Sequence, residues 1–319
     1  MPVAPLTLNE IYTPIGKDLE DFSARLRAEL ASEDALIRDI HAHILKMSGK
    51  FLRPALAILS SKIGPKENSQ AVRLAAAIEL IHTATLVHDD IIDNSDFRRH
   101  QPSIHAKWGR EISIVAGDYL YAKAFRLLAD LKDVWLNQAL SACAHIMCEG
   151  EMKQIERRRD FLMSEAEYLK IIHQKTAALF QAACMGGAYC AGVDEEQIQK
   201  MGDYGLRLGT AFQIVDDCLD LVGETENLGK AVGLDIYKND VTLPLLYLFR
   251  EMGEAERRQA AGNFEKVRAL AVERKSVDRA MEKAREFAEE AAQNLEGLED
   301  SVYKESLNNL AQYCLDRIR

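Results

Sequence analysis

Two short acidic runs carry the strongest chemical signal in the chain, Asp89-Asp90-Ile91-Ile92-Asp93 and Asp216-Asp217-Cys218-Leu219-Asp220. At 100° per residue, positions one, two and five of such a run fall within about 100° of one another, so on a helix each run presents three carboxylates on one face. Each follows a long apolar stretch, and like charges beside an apolar core repel strongly unless cations compensate. One isolated Asp-Asp pair is most simply a solvated helix end. Two copies of the same D-D-x-x-D pattern, both closing apolar helices, argue against that reading. Hard oxygen donors without clustered His or paired Cys select Mg²⁺, which keeps some waters and bridges to substrate phosphates.

Cations stand at complementary places. Lys50 and Arg53 are three apart in Gly49-Lys50-Phe51-Leu52-Arg53-Pro54, Arg98-Arg99 follow the first acidic run, and Lys175-Thr176 precede the second. Arginine offers phosphate a bidentate fork and lysine a point charge. Each of these alone is most simply a surface charge. Together with two acidic runs they suggest a site for two diphosphates, one held through metal and one by basic side chains.

The elements that position these residues are helices. All seven prolines lie at positions 2, 5, 14, 54, 65, 102 and 244, and long proline-free runs favour helix because an internal proline costs about 3 kcal/mol. Alternating β-branched runs are absent, so no strand is expected. The spacing predicts one helix over Asn68–Asp93, capped by Asn68 or Ser69 and apolar nearly all round, hence central in a bundle. A second is predicted over Gln197–Leu221, with Gly202, Gly205 and Gly209 allowing close helix contact and Gly223 as its stop. Residues Glu254–Ala292 read as amphipathic outer helices. No linker or repeat appears, so residues 1–319 are expected to form a single all-α domain.

Bulk properties bound the function. A net charge of -10 disfavours nucleic acid and anionic lipid, which need a basic surface. The six cysteines show no C-x-x-C spacing and read as reduced thiols. With no basic-then-apolar leader and no stretch of about 18 uncharged apolar residues, a cytoplasmic protein without stable membrane insertion is expected.

The chain resembles the trans-isoprenyl diphosphate synthases, close to their polyprenyl, octaprenyl-type branch. The matching motifs run in the family's order over nearly the whole chain: Gly49–Pro54, Ile81–Asp90, Arg98-Arg99-His100-Gln101-Pro102, Gly117-Asp118-Tyr119, Lys175-Thr176, Phe212–Asp217 and Gly229-Lys230. The resemblance implies a helical bundle around a central cavity. Lys50, Arg53, His82 and Arg99 match positions that hold isopentenyl diphosphate. Asp89, Asp93, Asp216, Asp217 and Asp220 match metal ligands, with Asp90 and Lys175 beside them in the catalytic set. Arg98, Lys175, Thr176, Gln213 and Lys230 match the allylic side. His82 is otherwise most simply a satisfied core histidine, yet it lies two turns before Asp89 on nearly the same face.

The reaction so implied condenses isopentenyl diphosphate with an allylic diphosphate, farnesyl or geranylgeranyl, by ionising the allylic C–O bond. Short-chain members commonly carry an aromatic four or five residues before the first aspartate, whereas here those residues are Thr85 and Ala84. A turn is about 5.4 Å, comparable to one isoprene unit, so an open turn permits a long-chain product of octaprenyl range, as for a quinone side chain. The alternative is a geranylgeranyl-type short-chain synthase. A terpene cyclase would carry a different second metal motif and has no use for Lys50, Arg53 and His82, and a non-catalytic subunit would be expected to have lost aspartates. A homodimer is expected, since the family forms one and the central helices are apolar on more faces than one layer of neighbours covers. Two departures stand out: Asp240 occupies the position of a family lysine, which Lys238 or Lys230 could replace, and His100 stands where a glycine is usual.

Overall fold

The computed structural model describes residues 6–47, 49–66, 70–223, 233–260 and 263–317. Helices α1 (Leu8–Tyr12), α2 (Gly16–Glu29), α3 (Ala35–Lys46) and α4 (Leu52–Ser60) lead to α5 (Gln70–Ile92). Then come α6 (Ile104–Trp108), α7 (Arg110–Asp130), α8 (Val134–Glu156), α9 (Glu165–Ile172), α10 (Ala178–Ala191) and α11 (Glu195–Val222). The remainder is α12 (Leu234–Lys238), α13 (Leu243–Glu251), α14 (Glu254–Ala260), α15 (Phe264–Glu273), α16 (Ser276–Gln293) and α17 (Val302–Asp316). The expected all-α bundle is the observed one.

α5 is central because its sequence leaves no polar face over most of its length. Leu74, Ala75, Ala76, Ala77, Ile78, Leu80 and Ile81 are all buried, and α2, α4, α7 and α10 pack around it. By length and composition it could cross a membrane, but these neighbours make it the core helix of a bundle. The capping residues Asn68 and Ser69 lie outside the described residues. α11 exceeds its expected bounds slightly, because the Asp194 side chain caps the Gln197 N–H at 2.8 Å and so starts the helix earlier. Gly223 ends it in an extended conformation (φ -68°), not the left-handed cap common for glycine. α10 lies so close to α11 that a Cβ on Gly205 would sit 2.5 Å from the Phe180 carbonyl oxygen.

One feature differs from the helical expectation. Phe97–Arg98 (β1) and Gln101–Pro102 (β2) form a two-residue antiparallel hairpin. Its turn residues Arg99 and His100 both have positive φ (49° and 61°), as a type I′ turn requires. That explains the glycine usual at position 100 and why histidine, one of the more tolerant residues there, can replace it. The stretch from Glu254 forms the expected helices, α14, α15 and α16, with Asn263 capping α15 and Lys275 in a left-handed turn before α16.

Candidate active site

The acidic ends of α5 and α11 face two connected cavities. The larger, about 950 Å³, is lined by Lys50, Arg53, Glu79, His82, Thr85 and Asp89 among others. The smaller, about 350 Å³, takes in Asp93, Asp217, Lys238 and Asp240. Arg98, Arg99, Lys175, Thr176, Gln213, Asp216 and Arg317 border both.

The first three aspartates are held in different ways. Asp90 is buried and gripped by Arg98 through Nε at 2.8 Å and Nη2 at 2.7 Å. It therefore orients Arg98, and it borders neither of these two cavities. Asp93 takes Arg158 Nη2 at 3.1 Å and Lys238 Nζ at 2.9 Å. Enclosure by protein raises the Asp89 carboxyl, which Lys175 and Arg98 partly offset. Lys175 Nζ is 2.5 Å from Glu151. Burial alone would depress that ammonium, but Asp89, Glu151 and Asp93 outweigh it and keep the lysine charged.

In the second group, Asp216 meets Arg317 at 2.6 Å. Asp217 accepts from Tyr168 at 2.6 Å and Gln213 at 2.7 Å, and Thr176 Oγ1 donates to Gln213 Oε1 at 2.8 Å. Burial raises Asp217 to about 7, against the lowering effect of those two donors. Asp220 is turned the other way. It is buried, its carboxylate accepts from the Asp235 N–H at 3.1 Å, and it borders neither cavity. Lys175 and Thr176 ride on a single π turn, His173–Ala177, between α9 and α10. Such turns recur at functional sites because they re-aim side chains within a helix.

The basic wall of the larger cavity gathers Lys50, Arg53, His82 and Arg99. The Arg53 guanidinium lies 4.4 Å from the Phe180 ring centre, and its Nη1 is 3.2 Å from His82 Nε2. Burial brings Arg53 down to about 10, and burial with Arg53, Arg99 and Arg98 nearby holds His82 well below 6.5, so the imidazole is neutral. Lys50 Nζ donates to the Tyr313 hydroxyl at 2.9 Å. Arg99 donates to the Met47 carbonyl, and a side chain on Gly49 would collide with its guanidinium.

A family model described as polyprenyl synthetase matches residues 34–283. The chain belongs to the polyprenyl synthetase family. An octaprenyl diphosphate synthase of Haemophilus influenzae is 36% identical, with 98% of each chain covered. An all-trans-nonaprenyl-diphosphate synthase of Rhodobacter capsulatus is 34% identical over 97% of this chain and 98% of its own. The crystal structure of a polyprenyl synthase from Caulobacter crescentus, complexed with calcium and isoprenyl diphosphate, has a TM-score of 0.95 at 34% identity, covering 100% of both chains. This polyprenyl synthetase is a trans-prenyltransferase of the long-chain kind.

Against that background the synthetase has site residues that motif reading passed over. Arg158, Arg317, Glu151, Tyr168 and Glu79 all contact or border the aspartates and cations above. Arg158 and Arg317 belong to no motif; the one available signal was the acid at position 240, which asks for a cation beside it. Asn239 adopts φ +60°, a conformation asparagine tolerates. On α5, Thr85 borders the larger cavity while Ala84 is wholly buried in the core. Gly229 and Lys230 lie outside the described residues.

Proposed function

We propose that this synthetase extends farnesyl or geranylgeranyl diphosphate with isopentenyl diphosphate, in a Mg²⁺-dependent reaction, to an all-trans polyprenyl diphosphate of octaprenyl range. The observation that carries this is the adjacency of the two charged regions: acids and cations of the smaller cavity adjoin a larger cavity whose basic end is Lys50, Arg53, His82 and Arg99. Two diphosphates so placed bring an allylic carbon and an isopentenyl double bond together.

The donor set suits Mg²⁺, being hard oxygens. Among the described residues, no three His, Cys, Asp or Glu side chains form a ready group for one ion, which fits ions completed by water and diphosphate oxygens. Asp89, Asp93, Asp216 and Asp217 would hold them, and Mg²⁺ when bound would draw charge from the departing diphosphate. Asp220, turned toward Asp235, would serve by fixing the end of α11.

The chain's own groups supply the remainder. Lys175 and Arg98, held ionised by their acidic partners, orient the allylic diphosphate and stabilise the charge it gains as the C–O bond breaks. Lys50, Arg53 and Arg99 fix the isopentenyl diphosphate, and neutral His82 adds a hydrogen bond without a charge. Thr176 and Gln213 present oxygens toward the allylic cation, while Phe51, Leu52, Phe212 and Met147 of the larger cavity keep water away from it. The proton lost in the final step passes to the released diphosphate.

A homodimer in the cytoplasm is the proposed form. Its support is the apolar surface left exposed on α7 and α8, including Ile114, Val115, Val134 and Ile146, since patches of this kind mark interaction sites. Labelled isopentenyl diphosphate with farnesyl diphosphate, followed by chromatography of the dephosphorylated products, tests the proposal. Hexaprenyl to nonaprenyl products are expected. Chains stopping at geranylgeranyl length would show a short-chain enzyme, and a cyclic hydrocarbon formed without isopentenyl diphosphate would show a cyclase.

A further inference from the structure

We propose that Arg158 is a further diphosphate-binding cation of the allylic site, and that Asp240 is the residue that positions it. The inference rests on the reading of the Asp93 face as the place of the allylic diphosphate.

Asp240 is only 4% exposed. A carboxylate buried to that degree is costly unless paired, and its partner is Arg158, whose Nε donates to it at 2.9 Å. From the same guanidinium Nη2 donates to Asp93 at 3.1 Å. The pairing is anchored in the backbone as well. The Arg159 N–H donates to the Asn239 carbonyl at 2.9 Å, with both residues at positive φ (68° and 60°). The end of α8 and the turn after α12 are thus joined at two adjacent points, unlike an incidental surface pair.

Asp93 carries two cations, Arg158 and Lys238. A carboxylate that turns to a metal ion gives up much of its hold on both, and an incoming diphosphate supplies the oxygens to replace it. Arg158 lines neither cavity while Asp93 covers it, and it meets the diphosphate once Asp93 turns away; Asp240 keeps one edge of its fork fixed meanwhile, and a guanidinium has five N–H groups to share. Asp240 lines the smaller cavity, but a carboxylate repels a diphosphate, so it acts through the arginine it holds. It brings in from α8 the positive charge that a lysine at position 240 would have carried.

The test is calorimetric titration, with Mg²⁺ present, of an unreactive thio analogue of farnesyl diphosphate and, separately, of isopentenyl diphosphate. Arg158→Gln should weaken the analogue about tenfold or more, the scale of one charge-assisted hydrogen bond, and leave isopentenyl diphosphate within about twofold. Asp240→Asn should weaken the analogue less, and should add nothing in the Arg158→Gln background. Arg158→Gln combined with Asp240→Lys should recover most of the affinity by restoring a cation, an outcome a purely structural tie would not give. Wild-type affinity in Arg158→Gln, beside lost affinity in Asp93→Ala, overturns the proposal, as do equal losses for both ligands. Unchanged binding of the analogue in Asp93→Ala and Lys175→Ala as well would instead show that the allylic site lies elsewhere.

Discussion

Asp89 and Asp216 each carry a carboxylate at a cavity wall, but their surroundings differ. Asp89 shares the larger cavity with Lys175, whose charge acts on it, whereas Asp216 is tied to Arg317 at 2.6 Å. Asp89→Ala and Asp216→Asn should each lower kcat/KM by at least about 100-fold while circular dichroism shows an intact helical fold. Asparagine is the better choice at 216, because alanine would leave Arg317 enclosed without a partner. Normal rates in either variant would remove these acids from the mechanism. Glu79 offers a second residue-level prediction. Burial raises it from 4.5 to about 7 despite Arg53 and Arg99, a difference corresponding to about 3 kcal/mol. Since the folded value lies above the unfolded one, the native state binds the extra proton between those pH values, and wild type loses stability as pH rises through them. Glu79→Gln should therefore gain in melting temperature relative to wild type from pH 5 to pH 8, and a difference constant with pH would refute the assignment. The acidic runs and the Lys50–Arg53 pair stood out by local spacing, whereas His82 was singled out by the family resemblance. Arg158 was not, because its partner Asp93 is 65 residues away and no local pattern encodes such a pairing.

α5 and α11 were readable to within a few residues because their apolar composition leaves little else they could be. The hairpin at Phe97–Pro102 was not, since two-residue strands carry no alternation, and its signature is the turn conformation of Arg99 and His100. Nor was the π turn at His173–Ala177, because one added residue per turn leaves the helical composition unchanged while it redirects Lys175 and Thr176. Thr85 and Ala84 are both small residues of the turn before Asp89, but the helix rotation separates them: Thr85 borders the larger cavity, whereas Ala84 has no exposed surface. Thr85→Phe should shorten the product by obstructing the cavity. Ala84→Phe should instead overpack the core at about 1–3 kcal/mol, lowering the melting temperature. Chromatography of the products and thermal melts of both variants distinguish the two effects, and an unchanged product from Thr85→Phe would show that the tail leaves by another wall.

At the scale of the whole molecule, the larger cavity is incompletely closed. Ile92, Met152 and Ile155 border it and are themselves exposed, by 37%, 62% and 41%. A growing apolar tail at that rim would meet water, at a cost of roughly 25 cal/mol per Å² left uncovered. Elsewhere α7 exposes Ile114 and Val115, and α8, which carries Met152 and Ile155 of the rim, exposes Val134 and Ile146. A second copy seated on α7 and α8 would bury this surface and shield the rim together, which ties oligomeric state to product length. Light scattering should therefore give the mass of two chains. Val115→Glu combined with Ile146→Glu, at positions that border neither cavity, should yield a monomer that still binds isopentenyl diphosphate but releases shorter products, because the tail loses its cover before the diphosphate sites lose anything. A wild-type monomer with full activity, or a monomeric variant whose product length is unchanged, would show that one chain encloses its product unaided.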